Sequence, residues 1–423
     1  MTDRVRRLAL VPDAVWEGER LLESQAVVVE GELIVDLAPM KSLPTGLEVI
    51  RLEGRTLLPG LIDCHVHLAD WMFPGLLAAG VTTVRDTGNG LDWILERRQR
   101  TRSNPANGPR ILCCGPVLDG PTANWPSIAW VHSDAEAIVA SIDSLAEAGV
   151  DAIKLYVNLT EDHLAAAVER AAKHGLPLLA HVPDSSGEAA VALGVSEIEH
   201  FSGFVHHVDG AEKSPQDLAA LAAQFARVDV VHCPTLVVWD RLSRVNDSVF
   251  VNDPRAQWVH PEIRAAWGRF PHRGAPDQLA RQASVVKMKE LVGLIAENGS
   301  PLIAGSDTPW PNIVPGFGLH DELSLLVDAG LPAPRALAAA TSAAADALGI
   351  GDRVGRIAPG LVADLLAVEG DPTVDITDLS RVRGVFRMGQ AIDRSALMGA
   401  AQEEFARPLT DPVSQLIVDV SQR

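Results

Sequence analysis

From Pro59 to Ile350 the chain repeats one pattern: a short apolar run, a turn, then a segment of helical length. The apolar runs are Leu61–His67, Val81–Asp86, Arg110–Cys114, Ala152–Val157, Pro177–Val182, Glu197–Phe201, Val228–Val238 and Pro301–Asp307. Between them lie amphipathic or alanine-rich stretches such as Ala135–Ala148, Glu161–His174, Pro215–Arg227 and Pro276–Asn298. A strand that is apolar on both faces belongs to a parallel sheet covered by helices on its outer side. Eight such strands alternating with helices predict α/β architecture, a (β/α)8 TIM barrel over 59–350 rather than an open sheet.

The flanks read differently. Residues 1–58 carry short strands, Arg7–Val11, Ala26–Gly31 and Leu33–Leu37, with Glu30-Gly31 as a hairpin signal. Strand pattern returns over 351–395 in Val354–Ile357, Ala363–Val368 and Val385–Gly389. Neither piece can bury both faces alone, so the two are expected to combine into one small discontinuous β-sandwich domain. Residues 396–423 read as a polar tail, helix then coil. With 423 residues, 47% of them hydrophobic, the chain is long enough for both units.

A formal net charge of -19 argues against nucleic acid or an anionic membrane as partner. No basic segment followed by an apolar run opens the chain, and no stretch is long enough to span a bilayer, so a cytoplasmic protein is expected. The four cysteines, Cys64, Cys113, Cys114 and Cys233, lie in apolar strand-like segments and read as reduced core residues. A homo-oligomer built through the β domain and the tail is compatible with the sequence, which fixes no order.

In a (β/α)8 barrel the chemistry sits at the carboxyl ends of the strands. Polar, ligand-capable residues recur there: His65 and His67 on the first strand, Lys154 in the fourth, His181 ending the fifth, His200 the sixth and Asp307 the eighth. His65 and His67 are two apart and share one strand face. A lone inward histidine is ordinarily a satisfied core residue, but six such groups on one rim point to a metal site.

These residues carry a resemblance. The runs Leu58-Pro59-Gly60-Leu61-Ile62-Asp63-Cys64-His65-Val66-His67, Ile153-Lys154-Leu155-Tyr156, Ile198-Glu199-His200, Gly305-Ser306-Asp307 and Gly355-Arg356-Ile357-Ala358-Pro359-Gly360-Leu361-Val362-Ala363-Asp364-Leu365 resemble the amidohydrolase superfamily. Within it they resemble the imidazolonepropionase-like branch that includes Xaa-Pro dipeptidases. The resemblance implies two divalent ions, one held by His65, His67 and Asp307, the other by His181 and His200. Lys154 would bridge them as a carbamate, because an ammonium has only donors and ligates a metal only after taking up carbon dioxide. Nitrogen and oxygen donors suit zinc, with manganese, cobalt or iron as alternatives.

The resemblance also implies a mechanism. Two ions lower the pKa of a bridging water so that hydroxide forms at neutral pH, and Asp307 takes the proton as general base and returns it to the leaving nitrogen as general acid. Tyr156 resembles the tyrosine that donates to the substrate carbonyl in this branch. The expected activity is hydrolysis of an amide or dipeptide-like C–N bond in a small molecule with a hydrophobic or aromatic part. Two alternatives stand beside it: a mononuclear cyclic-amidine or imidazolone hydrolase or deaminase, and a catalytically inactive amidohydrolase-like scaffold.

Specificity is expected from long loops over the rim, Pro116–His132 and Trp239–Ala275. Trp125 and Trp310 are candidates for an aromatic pocket, Arg264 for a carboxylate and His232 for a substrate contact. Of the other histidines, His206, His207, His260 and His272 read as loop residues, His320 as a helix cap or loop-ordering group, and His163 and His174 as solvated.

Overall fold

A computed structural model describes residues 6–183, 187–205, 212–270 and 275–422. The two flanks meet in one eight-stranded sheet, in the order Gln390–Ala391, Val382–Arg387, Leu365–Glu369, Glu48–Pro59, Arg7–Trp16, Gln25–Glu30 and Leu33–Pro39, with Leu21–Glu23 paired to Arg7–Trp16. Leu365 pairs with Pro59 and Glu369 with Arg55, so the C-terminal piece adds directly to the N-terminal one. Alternation sorts the side chains: Leu8 and Leu10 join Val27, Leu57 and Phe386 in one core, while Ala9 and Val11 pack with Ala26 on the opposite face.

The middle of the chain is a mixed α/β fold with parallel sheets, of TIM-barrel type. Leu61–Val66, Val81–Asp86 and Arg110–Cys113 form one parallel sheet. Ala129–Val131, Val117–Asp119, Ile153–Leu155, Leu178–Ala180, Glu197–Glu199 and Val231–Cys233 form the other, also parallel. Asp151 links the two, donating its N–H to the Cys113 carbonyl at 2.8 Å and accepting from the Cys113 N–H at 2.9 Å.

Several elements depart from the sequence expectation. The segment 301–308 forms only isolated parallel bridges, His232 with Leu302 and Val66 with Thr308. It still bonds on both sides: the Ile303 N–H to the His232 carbonyl at 3.0 Å, and the Cys64 N–H to the Ala304 carbonyl at 3.0 Å. The seventh strand shrinks to Val231–Cys233, because Pro234 lacks a donor and Thr235 turns left-handed before helix Leu236–Ser243. The expected loop 239–275 is largely helical, with Ser248–Val251, Pro254–Trp258 and Pro261–Trp267 following that helix. Asp247, Asp253 and His260 cap these three, the last two just before a proline at the first helical position. The tail is two helices, Arg394–Phe405 and Pro412–Val420, capped by Asp393 and Asp411.

His163 is a correction. It is buried rather than solvated, its Nδ1 lying 3.0 Å from Thr160 Oγ1 in a capping arrangement. His174 is exposed, as expected, with its Nε2 2.7 Å from Asp143 Oδ1, and His260 lies in the connection before helix Pro261–Trp267, which it caps. His320 lies inside helix Phe317–Asp328, bonded to the Ala79 carbonyl at 2.8 Å. His206, His207 and His272 fall outside the described residues. Among the described residues, no helix is long and apolar enough to cross a membrane.

Candidate metal centre

His65 and His67 emerge from strand Leu61–Val66 on one side of the chain, their rings 5.5 Å apart. Across from them Asp307 presents Oδ1 at 3.5 Å from His65 Nε2 and 3.3 Å from His67 Nε2. The ligand atoms of these three side chains all lie within 4.8 Å of one another. His200 packs at a tilt against His65 with ring centroids 4.7 Å apart, and His181 against His200 at 4.6 Å. Lys154 rises from strand Ile153–Leu155 into the same cavity.

Strand alternation alone would send His200 outward, since Glu197 and Glu199 take the inward side of their strand. A left-handed residue resolves this: His200 has φ 61° and turns its ring back over the site, and Asp307 does the same with φ 55°. Non-glycine residues in this region cost energy and cluster where a side chain must be aimed. Asp307 is fixed from below. Asp63 accepts the Ser306 N–H at 2.9 Å and its hydroxyl at 2.6 Å, and the Asp307 N–H bonds the His65 carbonyl at 2.8 Å. Gly305 passes so close to strand Leu61–Val66 that a Cβ there would lie 2.5 Å from the His65 Cβ.

The second nitrogen of each imidazole decides what the rings can do. His65 Nδ1 lies 2.6 Å from Glu199 Oε2, and His67 Nδ1 lies 3.0 Å from the Gly88 carbonyl. His200 Nδ1 lies 2.5 Å from Thr235 Oγ1, whose own hydroxyl donates to the Pro234 carbonyl. All three partners accept, so Nδ1 carries the proton and Nε2 keeps its lone pair facing the cavity. This is how metal-binding imidazoles are held. Burial also keeps His65 well below the ordinary imidazole range, hence neutral.

The carboxylates and the lysine complete the donor set. Lys154 Nζ is buried without a hydrogen-bond partner, 3.5 Å from Glu199 Oε1. Asp307 Oδ1 and Glu199 Oε1 are likewise buried and unpartnered. Burial raises Asp307 above the usual carboxylate range, against the lowering pull of His67. Orphaned buried donors and acceptors of this kind are costly unless a bound group takes them up. Imidazoles that turn Nε2 inward, two carboxylates and a buried amine without a hydrogen bond therefore fit a site for divalent cations.

Glu199 was missed in reading the sequence, although its spacing from Glu197 places both on the inward face. Beneath it, Arg85 pairs with Glu197 through its two terminal guanidinium nitrogens and donates from Nε to the Cys64 carbonyl at 2.8 Å. Tyr156 lines the cavity beside His181, and its Oη accepts from Trp125 Nε1 at 2.5 Å. Burial raises the Tyr156 pKa, so the phenol stays neutral with its own proton free to donate.

Trp125 and Trp310 line the cavity with ring centroids 5.3 Å apart. Two other expected contacts do not. His232 is fully buried between Phe201 and Phe225, and burial lowers its pKa to about 3, while its neighbour Cys233 takes the inward side within reach of His65. Arg264 is exposed on helix Pro261–Trp267, away from the cavity. In their place the tail contributes Val413, Leu416 and Ile417.

Fold and site together define a class: parallel α/β proteins of barrel type that gather histidines, a lysine and carboxylates where the strands end. The chain belongs to the amidohydrolase family, whose model matches residues 56–392, and a NagA composite domain matches residues 8–57. The chain is 37% identical over 87 residues to the imidazolonepropionase of Salmonella schwarzengrund, a match spanning 17% of this chain and only 21% of that relative. A solved Xaa-Pro dipeptidase with methionine in its active site superposes with TM-score 0.72 at 20% identity, covering 91% of this chain and 99% of the other, a likeness of fold alone. Bottromycin amidohydrolase superposes with TM-score 0.74 at 26% identity, covering 94% and 91%.

Proposed function

We propose that the protein is a binuclear metal-dependent hydrolase that cleaves an amide or dipeptide-like C–N bond of a small molecule with a hydrophobic or aromatic part. The observation that carries this reading is the set of inward Nε2 atoms on His65, His67 and His200 around the buried Asp307 carboxylate. His65, His67 and Asp307 would hold one ion and His181 and His200 the other, with Lys154 carboxylated to join them. Zinc suits these donors best. Ions so held supply a Lewis acid for the carbonyl and an acidified water at neutral pH.

The chain's own residues do the rest. Asp307 holds a proton taken from water and returns it to the departing nitrogen. Tyr156 is aimed to donate to the carbonyl oxygen as charge develops there, with Trp125 fixing the phenol. Glu199 orients His65 and offsets the Lys154 charge until carbon dioxide is taken up. The architecture proposed to carry this is a closed (β/α)8 barrel over 59–350, with segment 301–308 as its eighth staff, beside a β-sandwich formed by 1–58 and 351–395. The inactive scaffold is disfavoured because each ligand position is filled and lines one cavity; the mononuclear hydrolase or deaminase is the second reading.

The reading is tested by stripping metal with a chelator, restoring zinc, and following release of amine from a panel of N-acyl amino acids, dipeptides and simple amides. Turnover lost on stripping and recovered with zinc is expected. In Asp307→Asn it should fall about a hundredfold or more. Unchanged turnover in the stripped enzyme or in Asp307→Asn would overturn the reading.

A further inference from the structure

The cavity over the metal centre is narrow, with a free volume of about 40 Å³. Its base is the polar donor set, and its upper wall is apolar. Trp125 and Ile128 come from the loop after strand Val117–Asp119, Trp310 follows Asp307, and Val413, Leu416 and Ile417 come from helix Pro412–Val420. That helix repeats apolar residues at 413, 416, 417 and 420, all buried, with Gln415 and Asp419 outside. It is fastened at its start: Asp411 accepts the Ser414 N–H at 2.7 Å, and the buried Trp71 indole donates to Ser414 Oγ at 3.0 Å. The family match ends at residue 392, before this helix begins. Within the wall, Trp125, Ile128 and Trp310 fall inside the matched residues and the helix falls beyond them.

We infer that helix Pro412–Val420 is the specificity element of the enzyme: Leu416 and Ile417, with Trp125 and Trp310, receive an uncharged apolar or aromatic group attached to the scissile amide. This rests on the hydrolase reading above and names its substrate class. A bond held at His65 and Asp307 leaves its flanking group against two indoles and the helix, where apolar surface leaves water. A carboxylate at that position would be desolvated among aliphatic side chains.

The test uses the full-length, zinc-loaded enzyme with p-nitroanilides carrying acetyl, butyryl, hexanoyl, phenylacetyl and succinyl groups, and with acetyl amides of alkylamines of matching length. In one of the two series kcat/KM should rise about fourfold per methylene, and the succinyl compound should fall about tenfold or more below the butyryl one. Leu416→Ala should raise KM for the longest compounds about tenfold. Leu416→Lys should invert the order of butyryl and succinyl. The exposed Gln415→Ala should change neither, and the melting midpoint of each variant reports its folding.

Binding is read separately by quenching of tryptophan fluorescence on titration with hexanamide and phenylacetamide. An unaltered substrate order in both Leu416 variants, with the wild type active, would overturn the inference while the hydrolase reading stands. If no amide is cleaved but the apolar amides quench the wild type and not Leu416→Lys, the wall stands and the hydrolase reading falls. Neither order nor quenching would overturn both.

Discussion

Three imidazoles tie Nδ1 to an acceptor of the chain and turn Nε2 towards Asp307, and the acceptors matter as much as the rings. Glu199 is the most exposed to test, because it holds His65 at 2.6 Å and faces Lys154 at 3.5 Å. Glu199→Gln keeps the shape and removes the charge. Its zinc affinity, measured by competition with a chelator, should drop about 10–100-fold with the melting midpoint little changed. Equal affinity in both proteins would mean that Glu199 only packs. At this scale the sequence was generous with ligands and poor with their supports. His65, His67, Lys154, His181, His200 and Asp307 stand at strand ends that periodicity reveals, and all six line one cavity. The bends that aim two of them do not show in the periodicity, because a left-handed φ at His200 and at Asp307 breaks the very alternation used to find strands. His232 misled for the opposite reason: it keeps the strand alternation, one residue from the inward Cys233, and lies between Phe201 and Phe225.

Among the elements, helix Leu236–Ser243 carries a load that its length does not suggest. It begins just after Thr235, the acceptor for His200, and its first turn is held from helix Phe317–Asp328 by Glu322, which accepts the Val237 N–H at 2.7 Å. Burial pushes the Glu322 carboxyl from the ordinary 4.5 up to about 8, so it is protonated at neutral pH. A raised pKa in the folded state means that its contribution is complete below the unfolded value near 4.5 and is lost as pH rises through about 8. The melting midpoint should therefore decline between pH 5 and pH 9 by several degrees more in the wild type than in Glu322→Gln. Parallel declines would show that Glu322 is ionised in the folded protein. The sequence read this region as one long strand and a loop, since Val228–Val238 is apolar throughout. The break at Pro234 and the proline-initiated turns at Pro254 and Pro261 are what short-range pattern undervalues.

For the whole molecule, the alternation of apolar runs and helices located the parallel α/β body, and the return of strand pattern after residue 350 located the second half of the flanking sheet. What stayed hidden was contact across long separations: the tail helix over the active-site cavity, and the buried pairing that joins sheet to body. There Asp364 accepts from Arg387 at 3.0 Å and from Arg110 at 3.2 Å, beside the Met388 N–H at 2.7 Å. Asp364→Asn would leave Arg387 buried and uncompensated, and chemical denaturation should register a loss of about 3–5 kcal/mol. A loss below about 1 kcal/mol would mean that water reaches the pair.

The claim on which all of this depends is a binuclear centre bridged by a carboxylated lysine. The measurement that tests it most directly is metal content per chain, on protein purified without chelator and with bicarbonate present, read beside the native intact mass. Two divalent ions per chain and a mass gain of one carbon dioxide, both lost in Lys154→Ala, are the predicted result. One ion, no adduct and the same content in Lys154→Ala would contradict it and move the protein to the mononuclear branch.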